Sequence, residues 1–253
     1  MELVLQYPAH GDKYLARLWE GDFLEELIWC VTDPWLHSRT EESYRKNATK
    51  ESSSAAVAVT SIPSWSLTSS DFPVKFSREY YRKHGAKELC RKEKVDIFLE
   101  NEEYPFGLVM GGVAKIHGRL YRASESAIWE EHGSSHYDFQ NNLFFSYLHS
   151  VPDKHAVRMD SKRSNSLGDR LYIFPVMAET HPGDWNSRNL DIFCLVLTSL
   201  TATLETEGHT SLFSRAGLAK LIGTVQEGII AFSKGSKELL LGDCLGERLI
   251  KIR

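Results

Sequence analysis

The sequence predicts a mainly β protein, an antiparallel β-barrel or rolled sheet with an N-terminal helix and few short helices. Three observations lead there. Val113, Lys115, His117 and Arg119 alternate with Ala114, Ile116, Gly118 and Leu120, the two-residue period of a strand with one buried and one polar face. Runs rich in branched and aromatic residues recur at Lys154–Asp160, Arg170–Glu179, Leu190–Leu200 and Glu247–Arg253. Helical spacing is concentrated near the start of the chain, and no internal repeat is present.

That helical segment is Gly11–Cys30. Leu15, Leu18 and Trp19, then Leu24, Leu27 and Ile28, recur at three- and four-residue steps, which predicts a helix with one apolar face lying over an edge or open end of the sheet. Arg39–Ser61 is polar, Ser-rich and aperiodic, and reads as a flexible loop. In Ile62–Val74, Trp65 lies between Pro63 and Pro73, each of which biases its predecessor toward extended backbone, so strand and turn are expected. Ser77–Lys94 is basic and contains tyrosines. Such a run suits phosphate and stacked bases, but in an acidic chain it reads as a solvated loop or short helix.

Val95–Glu100 and Gly107–Ala123 are predicted strands, with Gly111, Gly112 and Gly118 marking a turn or bulge and a close approach of another backbone. Phe213–Leu221 reads as a strand that turns at Gly217, and Val225–Phe232 as a short helix or another strand.

With 253 residues and 42% hydrophobic content, one domain spanning 1–253 is expected. A net charge of −4 gives no basic field for nucleic acid or anionic lipid, so neither is an expected partner. The first residues lack a secretory pattern, and the longest apolar run, Leu190–Glu205, is too short and polar to cross a bilayer. A soluble cytoplasmic protein without membrane insertion is expected. Cys30, Cys90, Cys194 and Cys244 are far apart and read as free thiols.

No phosphate-binding loop, dinucleotide fingerprint, zinc-protease, nucleophile-elbow or EF-hand pattern occurs. Of ten histidines only His132 and His136 stand four apart, and the intervening Gly133, Ser134 and Ser135 favour a loop over a metal site. Asp71, Asp184 and Asp191 read as turn formers. The six tryptophans, Trp19, Trp29, Trp35, Trp65, Trp129 and Trp185, are mostly core by expectation, although a barrel lined with such rings also suits an apolar ligand.

Three blocks, Gly11–Trp29, Pro63–Val74 and Tyr104–Leu120, together with shorter echoes at Leu171, Phe213 and Arg248, resemble the region downstream of the signature domain in fungal heterokaryon incompatibility (HET) proteins. The likeness runs through nearly the whole chain in the family's order. Leu67 stands where the family pattern has a second tryptophan, and the HET domain's own signatures are not in these residues, so the Gly11–Cys30 segment is expected to pack on the β-body or on a partner.

The resemblance implies one of two functions. One is a cofactor-free cyclase of fungal secondary metabolism that performs an intramolecular [4+2] cycloaddition on an apolar terpenoid polyene, needing neither metal nor cofactor. Its pocket walls would be Trp29 and Trp65, with Tyr104, Phe106 and Tyr172 as further aromatic surface. Arg119 or His117 would orient a polar substituent if their face lines the cavity, and Ile116 and Leu120 would line it if not. The other is a non-catalytic incompatibility or regulatory module that binds a protein. An enclosed apolar cavity would mark the first, a filled interior with an exposed apolar patch the second.

Overall fold

The structure is a computed structural model that describes residues 13–16, 18–31, 62–69, 74–76, 86–104, 106–123, 156–159, 171–180, 190–200, 211–226, 229–232 and 241–253. The expected Arg39–Ser61 loop and the His132/His136 pair lie outside them. Among the described residues nearly everything is strand: β1 Tyr14–Leu15, β2 Leu18–Trp19, β3 Trp29–Val31, β4 Val74–Phe76, β5 Lys87–Glu88, β6 Arg91–Leu99, β7 Val109–Ala123, β8 Ala156–Met159, β9 Leu171–Thr180, β10 Leu190–Ser199, β11 Leu212–Gln226, β12 Ile229–Phe232 and β13 Leu241–Ile252.

Nine strands form one sheet whose main path is β5-β9-β10-β11-β13-β7-β6, with β8 and β12 also paired to β11. β7 pairs a third time, with β9, through Tyr121↔Ile173 and Arg122↔Tyr172. The β11–β13 pairing is parallel and covers only Leu212↔Lys251 and Phe213↔Ile252. The sheet therefore doubles back at two short junctions and is not closed as a true barrel.

The expected N-terminal helix is corrected to a single helical turn, α1, Phe23–Glu26. Leu15 and Leu18 are three apart because they face each other across the β1–β2 pair, with Tyr14 opposite Trp19 and Ala16 turning the chain at φ 49°. A tight hairpin and a helix both bring residues i and i+3 together, so the spacing alone did not separate them. Glu26 stays buried and accepts the Trp19 N–H. Leu15, Leu18, Phe23, Leu24, Leu27 and Ile28 share one core with Ile116, Leu120, Phe174, Phe193 and Leu195 of the sheet, so this segment packs on the β-body.

β7 shows the predicted alternation: Gly112, Ala114, Ile116, Gly118 and Leu120 are buried, while Val113, Lys115, His117 and Arg119 are half-buried on the opposite face. Gly118 is needed for close approach, because a Cβ there would lie 2.8 Å from the Phe174 ring and 2.9 Å from Cys90. β9, β10 and β11 are covered on both faces. Phe174, Phe193, Leu195 and Leu218 enter the main core, whereas Ile173, Ile192, Cys194 and Leu221 enter a second one with Ile230 and Phe232 of β12. Pro175, which has no N–H for a ladder, lies beside the register shift at Phe193/Cys194.

Two further expectations change. β11 runs straight through Gly217, with only a register shift opposite Val196/Leu197, so the glycine sits at a bulge rather than a turn. The described part of the basic run Ser77–Lys94 is largely strand, Lys87–Glu88 and the start of β6, because pairing to β9 and β7 takes up its backbone.

Candidate functional site

The Pro63–Ser69 block is a clasp. Ser64 N–H donates to the Arg253 carbonyl at 3.0 Å, and Ser64 Oγ accepts the Arg215 N–H at 2.8 Å. Ser66 Oγ donates to the Ala16 carbonyl at 2.9 Å, and Trp29 Nε1 donates to the Trp65 carbonyl at 3.1 Å. The N-terminal hairpin, β3, β11 and the C-terminal residue thus meet on a few serine and backbone groups. Arg215 completes the joint: its guanidinium lies 3.5 Å from the Trp29 ring centroid and donates to the Leu27 carbonyl at 2.6 Å and to the Trp29 carbonyl. A planar, five-donor cation suits this double task of stacking and carbonyl binding.

This clasp decides the fate of the aromatic residues expected to wall a pocket. Trp29 and Trp65 have 0% exposure, with Trp65 edge-on to Phe23 at 5.4 Å and against Gly112. Both rings are packed in the interior of this structure, where the sequence reading expects them as pocket walls. The Trp65 indole N–H is buried without an acceptor among the described residues. Tyr172 is also buried, edge-on to Phe213 at 5.4 Å. Ile116 and Leu120 are core residues as well, and Leu67 packs half-buried against that core.

Tyr104 and Phe106 go the opposite way. They sit in the β6–β7 connection, 64% and 52% exposed, with Phe98, Leu108 and Met110 beside them in the same hairpin at 57%, 61% and 47%. The tip is held by Glu100 N–H on the Leu108 carbonyl at 2.9 Å and Gly107 N–H on the Tyr104 carbonyl at 2.8 Å. Phe106 also packs on Tyr14, ring centroids 4.9 Å apart, which ties the tip to the N-terminal hairpin. The result is a fixed end carrying five large exposed apolar side chains.

His117 and Arg119 come together elsewhere, in an open groove of about 400 Å³ on the outer face of the sheet. Pairing sets it up: β7 places His117 opposite Arg91 of β6 and Leu249 of β13, and Arg119 opposite Glu247. Arg119 Nε is 3.9 Å from Glu247 Oε1. Glu88, Leu89, Cys90 and Ile230 complete the walls. Burial and the neighbouring Glu88 carboxylate push the Cys90 thiol far above its ordinary range, which leaves it protonated and a poor nucleophile. Burial and then Cys244 push the Tyr121 phenol up to about 12, against the pull of Arg119. The groove can hold a carbonyl or carboxylate by hydrogen bonds, and its walls are mostly polar.

A third grouping was not anticipated. Asp191, expected as a turn former, is the second residue of β10 and accepts a hydrogen bond from Lys220 Nζ at 3.1 Å, with side chains 3% and 0% exposed. Glu179 faces Asp191 across the β9–β10 register and buries both carboxyl oxygens without a hydrogen-bond partner among the described residues. Burial first, then Asp191, lifts its carboxyl to about 8 against the opposing pull of Lys220. The available signal was a charge placed inside each of three strongly apolar runs.

Among the described residues no His, Cys, Asp and Glu side chains gather in a set able to hold a metal ion, and no helix is long and apolar enough to cross a membrane. No family model, curated protein or solved structure matches this chain.

Proposed function

We propose that this chain is a non-catalytic recognition module, of the kind the HET resemblance implies, that binds another protein through the end of the β6–β7 hairpin. The exposed set Phe98, Tyr104, Phe106, Leu108 and Met110 carries this reading. Exposed apolar side chains on one hairpin end, while Trp29 and Trp65 are spent on the core, are what a binding surface needs. Selection of a peptide-display library against the purified protein tests it. Enriched peptides should bind at least about tenfold more weakly to F98S/L108S, the scale of losing anchor side chains. Ligands indifferent to that pair of substitutions, or no enrichment, would contradict the proposal.

A second reading is favoured by the groove. His117 and Arg119 stand together in it, although it is open and mostly polar rather than the enclosed apolar cavity that would mark a cyclase. In this reading the groove folds an apolar polyene toward its reactive conformer and Arg119 or His117 polarises an activating carbonyl, which requires neither a nucleophile nor a cofactor. Incubation with a linear diene–dienophile polyene tests it: acceleration lost in R119Q supports the cyclase, and an unchanged rate and stereochemical outcome removes it.

A further inference from the structure

The charges around the hairpin end determine what kind of surface it fits. Between Asp96 and Ala114 the chain has four acidic residues, Asp96, Glu100, Glu102 and Glu103, and no lysine or arginine. Asp96 is neutralised by Lys94 at 2.7 Å. Glu100, Glu102 and Glu103 are exposed beside the apolar side chains and, among the described residues, make no ion pair. At the tip Asn101 Oδ1 accepts the Glu103 N–H at 3.0 Å. The exposed ring and aliphatic surface is thus edged by three glutamates that no cation among the described residues pairs.

Resting on the binding reading above, we propose that the β6–β7 end docks a protein segment that presents apolar side chains flanked by lysine or arginine. Apolar area supplies the contact, while opposite charge at the rim speeds encounter and fixes orientation. Anionic membrane is disfavoured, because the carboxylates would face lipid headgroups of the same sign. A second copy of this chain is disfavoured for the same reason, since two such ends would bring six glutamates together.

Two synthetic peptides with identical Leu and Phe positions, one with Lys and one with Glu at the polar positions, separate these outcomes by fluorescence anisotropy. The Lys peptide should bind about tenfold or more tightly than the Glu peptide at low salt, with the gap narrowing as the Debye length falls below about 10 Å. E100Q/E102Q/E103Q should erase the preference but keep binding, and F98S/L108S should weaken the Lys peptide about tenfold. If both peptides bind equally and F98S/L108S abolishes both, the charge class is wrong and the hairpin reading stands. If neither binds, both fall. Binding of phosphatidylcholine/phosphatidylserine vesicles, or self-association in sedimentation that F98S/L108S abolishes, would overturn the proposed partner class.

Discussion

Trp29 and Trp65 lie in the interior without exposure, whereas Tyr104 and Phe106 stand more than half exposed on the hairpin end. Both pairs belong to aromatic-rich blocks, and by composition alone they are equivalent. The difference lies in their neighbours. Trp29 and Trp65 sit among serines and an arginine that occupy local carbonyls and N–H groups, so the rings are enclosed by a hydrogen-bonded clasp. The hairpin aromatics sit among glutamates and glycine, and apart from the Phe106 contact with Tyr14 they stay largely exposed. An aromatic residue is drawn into a core when most of the backbone polar groups around it can be satisfied there, even though the Trp65 indole N–H itself is not.

The sharpest break between the two regions is in stability. Trp65→Ala should destabilise by about 3–5 kcal/mol, because it empties a packed site under the clasp, while Phe106→Ala should change stability by less than about 1 kcal/mol. Chemical denaturation of both variants checks this, and equal losses would mean that the tip is core or that the clasp is not.

Next in size is the pH dependence. Glu179 holds its proton up to about 8 when folded, whereas an unfolded glutamate releases it near about 4.3. Across that window the folded chain binds a proton that the unfolded chain lacks, so stability should fall as pH rises and level off above the window. The slope is at most about 1.4 kcal/mol per pH unit. In Glu179→Gln the slope should flatten, with stability gained at the alkaline end; denaturant midpoints at several pH values read it, and an unchanged slope would place the titration elsewhere. The smallest effect belongs to the groove. Arg119→Gln should alter stability by less than about 1 kcal/mol, since its partner Glu247 is exposed; a larger loss by the same denaturation would show that Arg119 is part of the core architecture.

Much of the fold was legible. The β7 alternation named its buried and half-buried faces residue by residue, and the runs that became β8, β9 and β10 were read as strands, because a sheet buried on one or both faces leaves a plain trace in residue type. The N-terminal segment misled because Leu15 and Leu18 meet across a hairpin whose turn depends on a positive φ at Ala16, a residue that seldom adopts it. His117 and Arg119 were singled out together, yet their side of the sheet depends on which strands flank β7, and those pairings join residues far apart in the chain. Glu179, Asp191 and Lys220 were hidden for the same reason: each is an isolated charge in an apolar run, and only the β9–β10–β11 register brings them together.

We propose that the exposed hairpin end, rather than the tryptophan-bearing interior, is where this chain meets another molecule. Two-dimensional nitrogen–proton NMR during titration with the Lys peptide addresses that directly. The account predicts shifts at the amides of Phe98, Leu108 and Met110, with the indole N–H signals of Trp29 and Trp65 unmoved. Movement of those indole signals with a silent hairpin would contradict it.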